Sequence, residues 1–400
     1  MAGILEGLKV VEMGNNIAIP AAGAIMADWG ADVIKVEPLT GEMMRGMGSV
    51  QGVKVTGINM QFELLNRDKR ALAIDLKKEK GKSILHKMVK LSDVFIANYE
   101  VNALKKLQLD YISLSQINPS LIYAVVTGYG TKGPDKDERG FDFTAGWARS
   151  GTQHLMAEQG GTPPAQRAGM YDRTTGMHTV AGVCAALFNR EKTGKGQEIE
   201  LSLYHVGAYT IATDIQNALN GLPSLPNDRR KASSPLWNSY RAGDGRWFQF
   251  AMLQSDVHWP GLCRAMERPD LEHDPRFSIM YKRAENCEEL INIMDEVFNS
   301  RDRAEWEARF RENGVIYGRI ETPEEVVNDP QAYANDFFTE IDHPKTRKMK
   351  YVTMPVDFRQ NPASVKTPAP EVGQHNEEIL LELDYSWDDI SRLKEQEVIL

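Results

Sequence analysis

Cysteine is scarce in this chain: Cys184, Cys263 and Cys287 are the only three in 400 residues, and no two lie close together. An odd, scattered set excludes a disulfide framework and the paired spacing of a zinc site, and points to a reducing, cytoplasmic compartment. Long hydrophobic runs are missing as well. No segment approaches the ~20 apolar residues that span a bilayer, so no membrane partner is expected. The opening residues, Met1 to Gly14, are too short and too acidic for a secretory signal. The eight histidines show no metal-ligand spacing such as H-E-x-x-H, and no metal is expected. There is no excess of basic charge: 47 Lys and Arg against 56 Asp and Glu give a net charge of -9, which disfavours nucleic acid as a partner. A G-x-S-x-G elbow is lacking, as is G-x-G-x-x-G after the first strand, which argues against Ser/His/Asp hydrolysis and against a nicotinamide dinucleotide.

What remains is ordinary globular composition, 42% hydrophobic and 26% charged, enough for a large core and two domains. The first third alternates between two periods. Leu8 to Met13 reads as a buried strand, Pro20 to Asp28 as a small-residue helix closed by Gly30, and Val33 to Val36 as a strand. Ala71 to Leu76, Asp93 to Ala97 and Leu121 to Thr127 are further strands, with a helix from Lys80 to Leu91. Such alternation predicts an α/β domain with a mostly parallel sheet, whose ligands sit in loops beyond the strands' carboxyl ends. Gly14-Asn15-Asn16, Asn98-Tyr99 and Gly128-Tyr129-Gly130 are those loops. A helix is predicted over Arg173–Arg190 and a strand over Glu198–Leu203. Turn-rich sequence after Asn220 divides residues 1–220 from a smaller α+β domain at 225–325, with a hairpin around Gly243-Asp244-Gly245. Residues 330–400 are expected to return to the large domain and to end in an acidic helix.

Asp172 opens the helix that follows Ala168-Gly169-Met170-Tyr171. Spacing alone favours a helix cap, whose carboxylate accepts backbone N–H groups. The same donors would keep a carboxylate ionised, and an ionised carboxylate attacks a thioester without a general base. Asp142, in Arg139-Gly140-Phe141-Asp142, reads either as a capping carboxylate or as a group that meets substrate beside Asp172. The loop Gly128 to Pro134 is either a plain turn or a source of N–H groups for an anion. The basic stretch Asn66 to Arg70 with Lys77 to Lys90, joined by Lys105 and Lys106, is either a solvated face or a phosphate site. His178 and His205 read as ordinary helix and strand residues.

Together these segments resemble the class III CoA-transferases. The similarity is carried by Leu5 to Glu12, Ala27 to Pro38, Gly41 to Arg45, Asn66 to Arg70, Asp93 to Asn98, Asp172 to Gly176, Arg190 to Gln197 and Ala369 to His375. The resemblance implies a Rossmann-like large domain built from both chain ends, a small domain between them, and an interlocked homodimer. It implies a transferase that moves coenzyme A from an acyl-CoA to a free carboxylic acid, with no permanently bound cofactor. Asp172 would form an aspartyl anhydride and then an aspartyl-CoA thioester. Asn98, Tyr99, Lys106, Arg70 and Leu72 would contact CoA. Ala18, Ile17, Asp142, Gly128, Tyr129 and Gly130 would support the substrate.

Ile17 and Pro38 stand where formyl-CoA transferases carry Gln and Arg. No glycine-run loop occurs near Ser233 to Trp237. Both departures disfavour a small polar acid and favour a medium-sized 2-hydroxy or 2-enoic acid. The α-methylacyl-CoA racemases of the same superfamily use a His where this chain has Phe141, which cannot relay a proton.

Overall fold

The computed structural model describes residues 2–50, 53–54, 57–224 and 228–400. Leu225 to Asn227, where the small domain is expected to begin, lie outside the described residues. The chain divides into two compact units, one of residues 2–154, 164–224 and 333–400, the other of residues 155–163 and 228–332.

The first unit is built on six parallel strands: β1 (Lys9–Met13), β2 (Asp32–Glu37), β3 (Arg70–Ala73), β4 (Val94–Ala97), β5 (Ile122–Thr127) and β6 (Gln197–Ser202). Their order is β3-β2-β1-β4-β5-β6, which reverses between β1 and β4. Successive side chains of a strand point to opposite faces. Val11, Ile34, Phe95 and Val125 therefore join one core, with helices α3 (Glu79–Lys90), α4 (Val101–Leu107) and α5 (Tyr111–Ile117). Val10, Val33, Ile96 and Ala124 join the other, with α1 (Ala18–Asp28) and α6 (Met170–Thr193), and α2 (Met60–Asn66) packs Phe62 and Leu65 against Ala21 of α1. Coverage on both faces is why these strands are continuous apolar runs rather than alternating ones.

Helix α1 begins two residues before the expected Pro20. Proline is tolerated in the first turn because its missing N–H has no partner there anyway. Every residue of α1 is buried. His205 lies in helix α7 (Leu203–Thr210), not in a strand, because β6 stops at Ser202, whose side chain accepts from His205 N.

The edge strand β3 is closed by the C-terminal segment. His375 Nδ1 and Asn376 Oδ1 accept from Ala71 N and Ala73 N, and Ile74 bridges Ile399. The outward N–H groups that would invite another chain are thus used up. Arg70, at the opening of β3, pairs with Asp32, Glu378 and Glu382.

The second unit holds a three-stranded antiparallel sheet, β7 (Ser239–Arg241), β8 (Trp247–Phe250) and β9 (Tyr317–Ile320), with β8 in the middle. Tyr240, Phe248, Phe250, Phe298, Trp306 and Phe310 stack edge to face in its core.

Beside β1 and β2, under helix α1, lies a fully buried charge network. Lys35 Nζ meets Glu12 Oε1 at 3.1 Å and Glu42 Oε1 at 2.8 Å, and Lys69 Nζ meets Glu12 Oε2 at 2.7 Å. Burial pulls the Lys69 ammonium down to about 8, against the opposing pull of Glu12. Arg67 pairs with Asp28 at 2.6 Å, so the Asn66–Arg70 stretch is internal architecture and neither a solvated face nor a phosphate site. Helix α1 clears Glu12 only because residue 23 is glycine: a Cβ there would stand 1.8 Å from Glu12 Oε2. Gly23→Ala is expected to lower stability by about 3 kcal/mol, since the carboxylate must leave its ion pairs. Urea denaturation measures this, and an unchanged midpoint would contradict the packing.

Candidate functional site

At the carboxyl ends of the parallel strands, where the order reverses between β1 and β4, lies a cavity of about 490 Å³. This is where open α/β sheets bind ligands, because two neighbouring loops leave in opposite directions and open a crevice. The β1–α1 loop contributes Asn15, Asn16, Ile17 and Ala18, and the β4–α4 loop contributes Asn98 and Tyr99. The two loops are tied together: Asn98 Oδ1 accepts from Asn15 N and Asn98 Nδ2 donates to Asn15 O, both at 2.8 Å. Burial raises the Tyr99 hydroxyl above its ordinary range, although Asn15 opposes the shift.

The third wall is the loop after β5. Gly128 and Gly140 touch backbone to backbone, for a Cβ on Gly128 would lie 2.5 Å from Gly140 Cα. The loop between them is closed at its neck and directs Lys136 to Arg139 into the cavity. Asp135 pairs with Arg149 at 2.5 Å, and the Arg149 guanidinium lies 5.0 Å from the Tyr129 ring centroid and 5.4 Å from that of Tyr204.

Asp172 reaches the same cavity from α6. The expected cap geometry is corrected here. Gly169, in the left-handed region at φ +86°, occupies the cap position, and Asp172 is the third residue of the helix. Two amides at the helix start go to Asp142, whose Oδ2 accepts from Gly169 N and whose Oδ1 accepts from Tyr171 N at 2.9 Å. Asp142 is itself buried at the start of a π-helical turn, Asp142–Arg149, and is not among the cavity's lining residues. Its carboxylate caps the helix start and does not line the cavity.

Among the described residues no donor meets the Asp172 carboxylate. Burial, reinforced by the Asp142 charge and opposed by Arg173, raises its pKa to about 7. This is the reverse of the sequence expectation, in which main-chain donors would hold it ionised. A carboxylate free of protein donors keeps both oxygens available for bond formation, and each turns nucleophilic as it loses its proton.

Asp172, Ile17, Ala18, Gly128, Asn98 and Tyr99 thus line one cavity. Tyr129 and Gly130 follow Gly128 without lining it. Lys106 is exposed on α4 outside it. Arg70 and Leu72 do not belong to it: Arg70 is neutralised by three carboxylates at the amino end of β3, and Leu72 has no exposure in the core. Sequence reasoning missed Met43, Lys136 and Leu203, which also line the cavity. The Gly128/Gly140 pair was the one available signal for Lys136. Phe141 lines the cavity, and no histidine does. Among the described residues no cluster of three His, Cys, Asp or Glu is arranged to hold a metal ion, and no helix is long and apolar enough to cross a membrane.

Residues 5–376 match the family described as CoA-transferase family III. The chain is 36% identical to (R)-2-hydroxy-4-methylpentanoate CoA-transferase of Clostridioides difficile, over 99% of each chain. It is 34% identical to cinnamoyl-CoA:phenyllactate CoA-transferase of Clostridium sporogenes, over 99% of this chain and 97% of that one. Among solved structures, a CAIB/BAIF family protein from Brucella suis superposes with a TM-score of 0.83 at 30% identity, covering 96% of this chain and 100% of that one.

The raised carboxyl of Asp172 has a stability consequence. Between pH ~4 and ~7 the folded chain holds a proton that the unfolded chain has lost, so this group costs stability as pH rises through that window. Asp172→Asn removes the cost. Its stability advantage over the wild type is expected to be larger at pH 8 than at pH 5 by about 2 kcal/mol. Urea midpoints at the two pH values measure it, and a gap independent of pH refutes the shift.

Proposed function

This chain belongs to CoA-transferase family III, and we propose that it moves coenzyme A between medium-sized 2-hydroxy or 2-enoic acids, with Asp172 as the covalent nucleophile. The observation that carries the mechanism is a cavity-facing carboxylate, on the first turn of α6, that no donor among the described residues engages. An Asp172 oxygen attacks the thioester carbonyl of the donor, the C–S bond breaks, and CoA leaves as thiolate with the electron pair. The product is a mixed anhydride. The thiolate then attacks the aspartyl carbonyl, the donor acid departs as carboxylate, and an aspartyl-CoA thioester remains. The acceptor carboxylate attacks that thioester, and the same two steps run in reverse. One thioester replaces another, so no outside energy source is required.

Ile17, Met43, Val126, Phe141 and Leu203 give a mixed cavity an apolar part beside its amide and charged residues, which supports an alkyl or aryl acyl group. The two clostridial relatives, named for 2-hydroxy-4-methylpentanoate and for cinnamoyl-CoA with phenyllactate, support the same range. In this reading Asn98 and Tyr99 contact the CoA chain and Gly128 borders the acyl end, which their shared place on the cavity wall with Asp172 supports. A homodimer is part of the proposal, supported by exposed apolar side chains such as Phe188, Tyr209 and Leu219. A cytoplasmic setting accords with three cysteines that are all free.

Incubation with a panel of 2-enoyl- and 2-hydroxyacyl-CoAs, cinnamoyl-CoA among them, followed by hydroxylamine and mass spectrometry, is expected to mark Asp172. Asp172→Asn should carry no mark. Turnover of Asp172→Ala at the wild-type rate would end the mechanism. The rate of marking should rise with pH and level off with an apparent pKa of about 7, because only the ionised form attacks. A rate that is flat from pH 5 to pH 8 contradicts this.

A further inference from the structure

The β1–α1 loop brings Asn15 to Ala18 to the cavity, yet it contains a strained residue. Asn16 sits at φ +60°, a left-handed conformation that a non-glycine residue adopts at a cost. Two side chains from the β2 side hold it there. Lys35 Nζ donates to Gly14 O at 3.0 Å, and Glu42 Oε2 accepts from Asn16 N at 3.0 Å. The other oxygen of Glu42 is 2.8 Å from Lys35 Nζ, and both side chains are fully buried. Lys35 therefore donates hydrogen bonds to Glu12 and Gly14 and forms an ion pair with Glu42, and Glu42 turns one oxygen to the cation and one to the loop. Glu42 is held in turn, since its own N–H donates to Glu37 Oε2 at 3.0 Å.

A buried ion pair of this kind contributes little net stability over apolar residues of the same volume, because desolvation offsets the Coulomb attraction. What it supplies is geometry. Only a carboxylate between a buried ammonium and a backbone amide can anchor residue 16 while residue 14 is anchored by that same ammonium. The loop so anchored meets the nucleophile's helix: Ile17 Cδ1 lies about where a Cβ on Gly169 would touch it, at 3.1 Å.

We propose that Glu42, backed by Lys35, is a positioning residue for CoA transfer, which sets the β1–α1 loop against the first turn of α6. The proposal rests on the reading of Asp172 as the attacking group. It predicts a defect in the chemical step without a matching defect in binding, because Glu42 lies behind the cavity wall and touches the loop, not the ligand.

The test compares wild type, Glu42→Gln and Glu42→Ala, using the panel acyl-CoA that marks wild-type Asp172 fastest. Amide hydrogen exchange reads the loop, and steady-state and single-turnover rates read the chemistry. Glu42→Ala is expected to lose protection at Asn16. Its kcat should fall about 10- to 100-fold while KM for the acyl-CoA stays within about threefold, as for a sub-ångström misplacement of reacting groups. Glu42→Gln is near-isosteric but has one oxygen for two partners, so its kcat should fall between wild type and Glu42→Ala. If Glu42→Ala is recovered only unfolded, Glu42→Gln carries the test. Folded variants with wild-type kcat, or a defect confined to KM, overturn the proposal. Wild-type turnover with no mark on Asp172 overturns instead the mechanism on which it rests, so the two failures are distinguishable.

Discussion

Two backbone N–H groups, those of Gly169 and Tyr171, determine what Asp172 is able to do. A helix start offers unpaired amides and the positive end of a dipole, and a carboxylate within the first turn would ordinarily be quietened by them. Here both amides are taken by Asp142. The helix is capped by a residue that precedes it by 27 positions, and the carboxylate inside its first turn is left to the cavity. The same arrangement places a second negative charge close to Asp172 in a desolvated setting, so its proton is held to about pH 7. Capping and donor-free exposure to the cavity follow from that contact, while the raised proton affinity comes first from burial and second from the Asp142 charge.

The other half of the site depends on the sheet. Reversal of strand order between β1 and β4 leaves two adjacent loops that turn away from each other, and the cavity occupies the space between them. Each loop is fixed by polar contacts rather than by packing. Asn98 clamps residue 15 from the side, and the Lys35–Glu42 pair clamps residues 14 and 16 from behind. Directional bonds define a backbone position more sharply than apolar contact does, which suits the wall of a cavity. Small residues make room for these contacts: Gly23 clears Glu12, and the Gly128/Gly140 neck closes the third loop.

Burial of four charged side chains next to a cavity is a costly way to build a core, and it marks where shape takes precedence over net stability. Buried charge also occurs at Arg67 with Asp28, and in the second unit at Arg283 and at Arg303 with Glu307, but most of the core is built by ordinary means. The strands face apolar cores on both sides, the C-terminal segment closes the β3 edge, and an aromatic cluster fills the second unit. Of these buried charges, the Lys35, Glu12, Glu42 and Lys69 network is the one that adjoins the β1–α1 loop.

The sequence by itself determined the alternating architecture, because hydrophobic periods of 2 and 3.6 are local properties of the chain. It also determined which strand ends lead into functional loops, since Gly14-Asn15-Asn16, Asn98-Tyr99 and Gly128 follow apolar runs that have no choice but to be buried. Asp172 and its neighbours were legible as a motif through resemblance. Only the tertiary structure decided the partners. Whether Asp172 or Asp142 takes the helix amides, whether Lys69 and Arg67 face solvent or Glu12 and Asp28, and whether Arg70 meets a ligand or three carboxylates all depend on residues tens to hundreds of positions apart. Spacing shows that a charge is present. The field and the hydrogen bonds that set its chemistry arise only when distant segments are brought within a few ångströms, and no local pattern encodes that distance.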